Sequence, residues 1–303
     1  MLYYPTRHEH VDRKLMPIKP EDMTITSADG TKLHAWRFKS ALKKSSPCVI
    51  LQFHGNAQNL STHFYSFYTA PSQGYDYVTF DYRGYGSSEG KPSPKGTLED
   101  GHAALRSVHA LYPGRPIVVV GQSLGGAVAL RTVADLKDEI PVRLVVVDST
   151  FSSYRSVARR TLAHSWLTWL FQPLGWLTMS DEYAPKGRIK NLSPIPLVVI
   201  HGTKDRAVDY ELGREVFVEA SEPKEFWEIP DGNHIDFMYR EKGMYAERFY
   251  DKLDSICEAP SVRPVTSPPD KSSERSSRRP VPGAAAVAGL PSGTAPNPKP
   301  GSR

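Results

Sequence analysis

Apolar residues gather in short solid runs along this chain, each closed by polar or glycine-rich residues. Pro47-Cys48-Val49-Ile50-Leu51-Gln52-Phe53, Ile117-Val118-Val119-Val120, Arg143-Leu144-Val145-Val146-Val147-Asp148 and Pro196-Leu197-Val198-Val199-Ile200 are the clearest. Runs this short and this rich in β-branched residues predict strands buried on both faces. Tyr77-Val78-Thr79-Phe80-Asp81 and Lys224-Glu225-Phe226-Trp227-Glu228-Ile229 read the same way, less purely. Residues 22–27 and 32–38 alternate instead, with Ala28-Asp29-Gly30-Thr31 between them, which predicts an antiparallel hairpin. Helical patterns fill the spaces at 94–111, from Ala127 onward, at 210–220 and at 235–256. Strands alternating with helices predict an α/β fold, with a mostly parallel central sheet flanked by helices.

The stretch 151–192 breaks the alternation. It is long for a crossover and carries Trp166, Trp169 and Trp176. Leu162, Trp166, Trp169 and Leu170 share one helical face. The expectation is a small helical cap over the sheet edge, its rings either lining a hydrophobic pocket or simply packing on the core. The chain then divides into a polar lead-in over 1–21, a folded domain over 22–259 with the cap inside it, and a tail over 260–303. Proline, serine and scattered arginine dominate that tail, a composition that predicts disorder.

Charge changes the picture little. Seven basic and two acidic residues lie between Pro260 and Arg303, so the whole formal charge of +5 belongs to the tail. The folded part is balanced and gives no sign of a nucleic-acid face. The two cysteines, Cys48 and Cys257, suggest no disulfide framework and read as buried or idle thiols. No run is long enough to span a membrane, and the N-terminal residues lack a basic region followed by an apolar core. A soluble cytoplasmic protein is the default expectation.

The candidate chemistry starts at Gly121-Gln122-Ser123-Leu124-Gly125, directly after a predicted strand and directly before a predicted helix. In that setting Gly-x-Ser-x-Gly predicts a sharp turn that lifts the Ser123 hydroxyl clear of the sheet. A serine hydroxyl needs a base, and the base needs an orienting acid. Asp205 follows the 196–200 strand and His234 follows the 224–229 strand, in the order Ser, Asp, His. Asp148, one strand earlier, is the rival acid; otherwise it caps a helix or turn beside the site. An oxyanion needs two N–H donors. Leu124, next to the nucleophile, is one candidate, and Asn56 in His54-Gly55-Asn56 is the other. His54 could serve as a base, but a loop-fixing role suits it better. His8 and His10, or His102 and His109, form no defensible metal set, and no lysine-bearing phosphate loop is present, so no cofactor is expected.

These segments, together with Asp81-Tyr82-Arg83-Gly84-Tyr85-Gly86-Ser87-Ser88-Glu89-Gly90 and Gly232-Asn233-His234, resemble the serine-hydrolase branch of the α/β-hydrolase superfamily, more narrowly its serine aminopeptidase-like group. The resemblance spans about residues 22–256. It implies the α/β-hydrolase fold, with Ser123 as nucleophile, His234 as base, Asp205 as acid, and the Asn56 and Leu124 amides as oxyanion hole. The expected activity is hydrolysis of a carboxylic ester or related acyl bond through an acyl-enzyme, on a small-molecule ester or peptide. Peptidase, thioesterase and lipase variants stay open, as does a non-catalytic binding protein on the same scaffold. Dehalogenase and epoxide-hydrolase chemistry is disfavoured, because those relatives place aspartate where Ser123 stands.

Overall fold

A computed structural model of the protein describes residues 3–42, 47–163 and 179–258. Ten strands are seen among them: β1 (Tyr4–Pro5), β2 (Glu21–Thr26), β3 (Lys32–Phe38), β4 (Val49–Phe53), β5 (Ala57–Gln58), β6 (Asp76–Phe80), β7 (Ile117–Gln122), β8 (Val142–Asp148), β9 (Leu197–Gly202) and β10 (Lys224–Ile229). The helices are α1 (Leu60–His63), α2 (Pro94–Leu111), α3 (Leu124–Leu136), α4 (Tyr154–Ala163), α5 (Tyr210–Glu219) and α6 (Met244–Glu258). Eight of the strands form one sheet in the order β10-β9-β8-β7-β4-β6-β3-β2. The pairs β2–β3 and β3–β6 are antiparallel, and every other pair in that sheet is parallel. This is the mostly parallel α/β sheet that the alternation of strands and helices predicted, in the α/β-hydrolase arrangement that the resemblance implied.

The apolar runs are explained by two covered faces. Val119 and Ile117 of β7 join a core under α2 and α3, which also holds Val108, Val128 and Leu130. Val118 and Val120, pointing the other way, join a second core with Phe67, Phe249 and Leu253. A strand with an apolar layer on both sides has no polar face to alternate with. The hairpin forms as expected. Thr26 pairs with Lys32, and Gly30 takes a φ of +89° in the turn.

Two expectations need amendment. Cys48 and Cys257 are not thiols: they form a disulfide, with Cα atoms 5.7 Å apart across a sequence separation of 209. The start of β4 and the end of α6 meet in the second core, which the chain order alone does not reveal. The last helix begins at Met244 rather than near 235, because the preceding residues form a loop in which Ile235 has a φ of +57°. After β4 the chain forms α1 followed by two short 3-10 turns. The tryptophan face of the expected cap falls at 162–170, with Trp176 beyond it. The backbone of 164–178 and the side chain of Leu162 lie outside the described residues, as does the tail 260–303.

Candidate active site

Ser123 sits between β7 and α3 with φ +52° and ψ −119°. A positive φ is costly for a residue with a side chain and persists only where its surroundings hold it. They do so from both ends. Its N–H donates to the Asp148 carbonyl at 2.9 Å, and its own carbonyl accepts from Thr150 Oγ1 at 2.7 Å and from the Gly126 N–H at 3.0 Å. The turn closes so tightly that a Cβ on Gly121 would stand 2.6 Å from Gly126 Cα, and one on Gly125 would stand 2.2 Å from the Phe53 carbonyl oxygen. These glycines let strand, turn and helix meet.

Asp205 and His234 come from the loops after β9 and β10, which are neighbours in the sheet. His234 Nδ1 lies 2.8 Å from Asp205 Oδ2. The other carboxylate oxygen, Oδ1, accepts the N–H groups of Ala207 at 2.8 Å and Val208 at 2.9 Å. Buried His201 sits on the opposite side, its Nε2 3.4 Å from Asp205 Oδ2 and 2.9 Å from the Val208 carbonyl. Burial pushes the Asp205 carboxyl up. Its hydrogen bonds with His201 and His234, the charge of His234 and the Val208 N–H outweigh that and hold it well below the usual carboxylate range. A carboxylate that stays ionised assigns the bridging proton to His234 Nδ1, leaving Nε2 as the basic nitrogen.

The structure therefore brings Asp205 and His234 into direct contact. Ser123 and His234 share no hydrogen bond among the described residues. Their segments are tied to the same pair of residues: Ser123 N–H binds the Asp148 carbonyl, and Ile235 N–H, next to His234, binds Ser149 Oγ at 3.1 Å. Asp148, the rival acid, is 2 % exposed. Its Oδ1 accepts from Ser149 Oγ at 3.0 Å, and its Oδ2 has no hydrogen-bond partner among the described residues. Burial pushes this carboxyl up to about 7, against the opposing pull of the nearby His234.

The loop after β4 faces Ser123 from the other side. A Cβ on Gly55 would lie 3.7 Å from Ser123 Cβ. His54, wholly buried, puts Nδ1 2.7 Å from the Gly55 carbonyl, while its Nε2 lies 3.3 Å from Asp81 Oδ1 without hydrogen-bond geometry. A ring spent on its own loop suits the fixing role expected from sequence. Leu124 opens α3, so its N–H belongs to the first turn, where no intrahelical acceptor exists. The loop 81–90 reaches back to the loop after β4: Tyr82 Oη donates to the His54 carbonyl at 3.2 Å and Tyr85 Oη to that of Asn56 at 2.8 Å.

Sequence reasoning missed His63 and Ser149. His63 Cε1 would lie 3.1 Å from a Cβ on Gly55, and its Nε2 is 2.9 Å from the Ala57 carbonyl. Lost hydration above all, with neighbouring His54 and His234 opposing a further charge, pushes this imidazole down to about 3, so it is neutral throughout the physiological range. Neither residue belongs to a motif; only the folded loops put them here. No cluster of three potential metal ligands occurs among the described residues, and none of their helices is long and apolar enough to cross a membrane.

Comparison with known proteins fits this geometry. A family model described as the alpha/beta hydrolase family matches residues 49–187. The uncharacterized protein YfhR of Salmonella typhi is 35% identical over 266 residues, covering 83% of this chain and 85% of that one. The lysophosphatidylserine lipase ABHD12 of Macaca fascicularis is 31% identical over 215 residues, covering 66% of this chain and 53% of the relative. Among solved structures, the Pyrococcus furiosus esterase Pf2001 aligns with a TM-score of 0.64 at 21% identity, over 84% of this chain and 97% of the esterase. The sheet order, the strained serine at the strand–helix turn and the extent of these matches agree: the chain belongs to the α/β-hydrolase family.

Proposed function

We propose that the protein is a serine hydrolase that cleaves carboxylic esters or related acyl bonds through Ser123, His234 and Asp205. The observation that supports this reading is the Asp205–His234 contact, tied through the Ile235–Ser149 bond to the same Asp148–Ser149 segment that holds a serine at positive φ. His234 Nε2 takes the Ser123 proton as Oγ attacks the acyl carbon. The oxyanion of the tetrahedral intermediate is met by the N–H groups of Leu124 and Asn56, at the positive end of α3. The intermediate collapses, the bond to the leaving oxygen breaks, and the His234 imidazolium returns the proton to that oxygen. A water deprotonated by His234 then attacks the acyl-enzyme carbonyl; the bond to Ser123 Oγ breaks, the His234 imidazolium returns the proton to Oγ, and the acid leaves. Similarity to an esterase and to a lysophospholipid lipase favours an oxygen ester over a peptide bond.

The test is hydrolysis of a p-nitrophenyl ester series by the purified chain and by Ser123→Ala, with fluorophosphonate labelling read by mass spectrometry. The reading expects labelling at Ser123 and a fall in kcat of at least about a thousandfold in the variant. Equal turnover in a folded Ser123→Ala protein would overturn it. An accessible Ser123 that takes no label would favour a binding protein on the same scaffold.

A further inference from the structure

The segment ahead of the main sheet forms a short ribbon of its own. Strands β1 and β5 pair in parallel, Tyr4 with Ala57 and Pro5 with Gln58, outside the eight-stranded sheet. Both strands are exposed and bury almost nothing, and two residues of ladder add little to the stability of a fold. Their bonds nevertheless converge on one loop. The Tyr4 N–H donates to the Asn56 carbonyl at 2.9 Å, and the Thr6 N–H donates to the Gln58 carbonyl at 3.0 Å. The ribbon is fastened further along. Gly86 N–H donates to the Thr6 carbonyl at 2.9 Å, and the Arg7 guanidinium donates to the carbonyls of Gly86, Ser88 and Gly90. Asn59 Nδ2 donates to the Thr6 and His8 carbonyls at 3.2 and 2.7 Å.

We infer that strand β1 and Tyr85 are positioning elements of the oxyanion hole, holding the Asn56 peptide at the angle from which its N–H meets the oxyanion. The inference rests on the acyl-transfer reading above. The N–H of Asn56 belongs to the Gly55–Asn56 peptide, whose carbonyl oxygen is held by His54 Nδ1. In a trans peptide the N–H points opposite to the C=O, so this N–H is turned away from the buried His54 ring. The carbonyl on the other side of Asn56 is held by Tyr4 N–H and Tyr85 Oη together. With both flanking carbonyls pinned, the peptide planes cannot rotate independently. The next residue but one, Gln58, has a φ of +62°, a conformation that needs such restraint. His63 closes the cradle from beneath through the Ala57 carbonyl.

An interaction with the oxyanion exists only once the carbonyl has been attacked, so misaiming this N–H should lower kcat and leave KM nearly unchanged. The experiment uses the full chain with Tyr4→Pro, which removes the backbone donor, and Tyr85→Phe, which removes the hydroxyl, singly and together. Val108→Ala, a core truncation in α2, serves as the stability control. Steady-state hydrolysis of p-nitrophenyl butyrate, affinity for a trifluoromethyl ketone and thermal unfolding are measured for each. The expected result is a fall in kcat of roughly tenfold for each single variant and roughly a hundredfold for the double. KM should stay within about twofold, and the ketone, which binds as a tetrahedral oxyanion, should lose affinity in parallel with kcat/KM. Val108→Ala should lower Tm without this split. Unchanged kcat in Tyr85→Phe, or a loss that simply tracks Tm across all variants, overturns the inference even if Tyr4→Pro fails to fold. Absence of Ser123-dependent turnover in the unaltered protein overturns the hydrolase reading and this inference with it.

Discussion

His234 Nδ1 and Asp205 Oδ2 lie 2.8 Å apart, on two loops that are 29 residues apart in the chain. The carboxylate behind that contact also accepts two backbone N–H groups, so it is fixed before it meets the imidazole. Replacing it with a neutral isostere keeps the shape and removes the charge. Asp205→Asn should lower kcat by roughly a thousandfold or more, with folding retained, because the imidazolium loses its counter-charge and Nδ1 its fixed acceptor. Ester turnover and circular dichroism check this together, and a folded variant with near-normal kcat would reassign the acid.

The same carboxyl has a pH consequence. Its pKa is depressed in the fold, so its stabilisation is present above the ordinary carboxylate value and is lost as pH falls through the folded one. Asp205→Asn should therefore lose less stability than the unaltered protein on going from pH 5 to pH 2.5. Urea midpoints at the two pH values read the difference.

Asp148 behaves with the opposite sign. Burial raises it to about 7, so the folded state keeps a proton that the unfolded chain releases near pH 4. Its contribution is complete below the ordinary carboxylate pKa and disappears as pH rises through about 7. Asp148→Asn should flatten the decline in stability between pH 4 and pH 7. Denaturant midpoints across that window with an unchanged slope would contradict the protonated state. If Asp148 were the working acid, Asp148→Asn rather than Asp205→Asn would abolish turnover.

His63 is the second candidate base, because a Cβ on Gly55 would lie within 4 Å of both its ring and Ser123 Cβ. Low hydration keeps His63 neutral and its Nε2 is committed to the Ala57 carbonyl, whereas His234 has the acid partner. His234→Gln should lose roughly a thousandfold or more in kcat and His63→Gln no more than about tenfold. The reverse order, measured on one ester, would move the base.

The Cys48–Cys257 bond ties the first residues before β4 to the last turn of α6. Closing so long a loop, 209 residues in separation, restricts the unfolded chain, an effect of about 5 kcal/mol in the chain-entropy model. The double replacement by serine should lower Tm by roughly ten degrees while leaving kcat at 25 °C nearly intact. Equal melting with and without reductant would show that the bond contributes nothing. A persistent disulfide also belongs with an oxidising compartment, which weighs against the cytoplasmic default drawn from composition.

Hydrophobic periodicity was enough to reach the fold class. Solid apolar runs such as Ile117–Val120 mean two covered faces, and alternating ones such as 32–38 mean a half-exposed hairpin; these are local properties of the chain. The Gly121–Gly125 turn was equally legible, because its glycines answer a close approach of strand and helix that any such turn requires. The helix expected at 235–256 was not, because the loop that carries His234 takes its shape from tertiary bonds, including the one from Ile235 to Ser149.

The order of the elements, the residue types able to do the chemistry and the sites of the sharp turns belong to the sequence itself. They depend on neighbours within a few positions, where side-chain volume, branching and the missing Cβ of glycine act directly. The Cys48–Cys257 bond, the ribbon between Tyr4 and Ala57, the burial of the Asp148 carboxyl and the nearness of His63 to Ser123 were decided only by folding. The bond, the ribbon and the histidine each join groups whose separation along the chain says nothing about their distance in space, and the Asp148 carboxyl owes its chemistry to the water removed when the sheet and loops close around it.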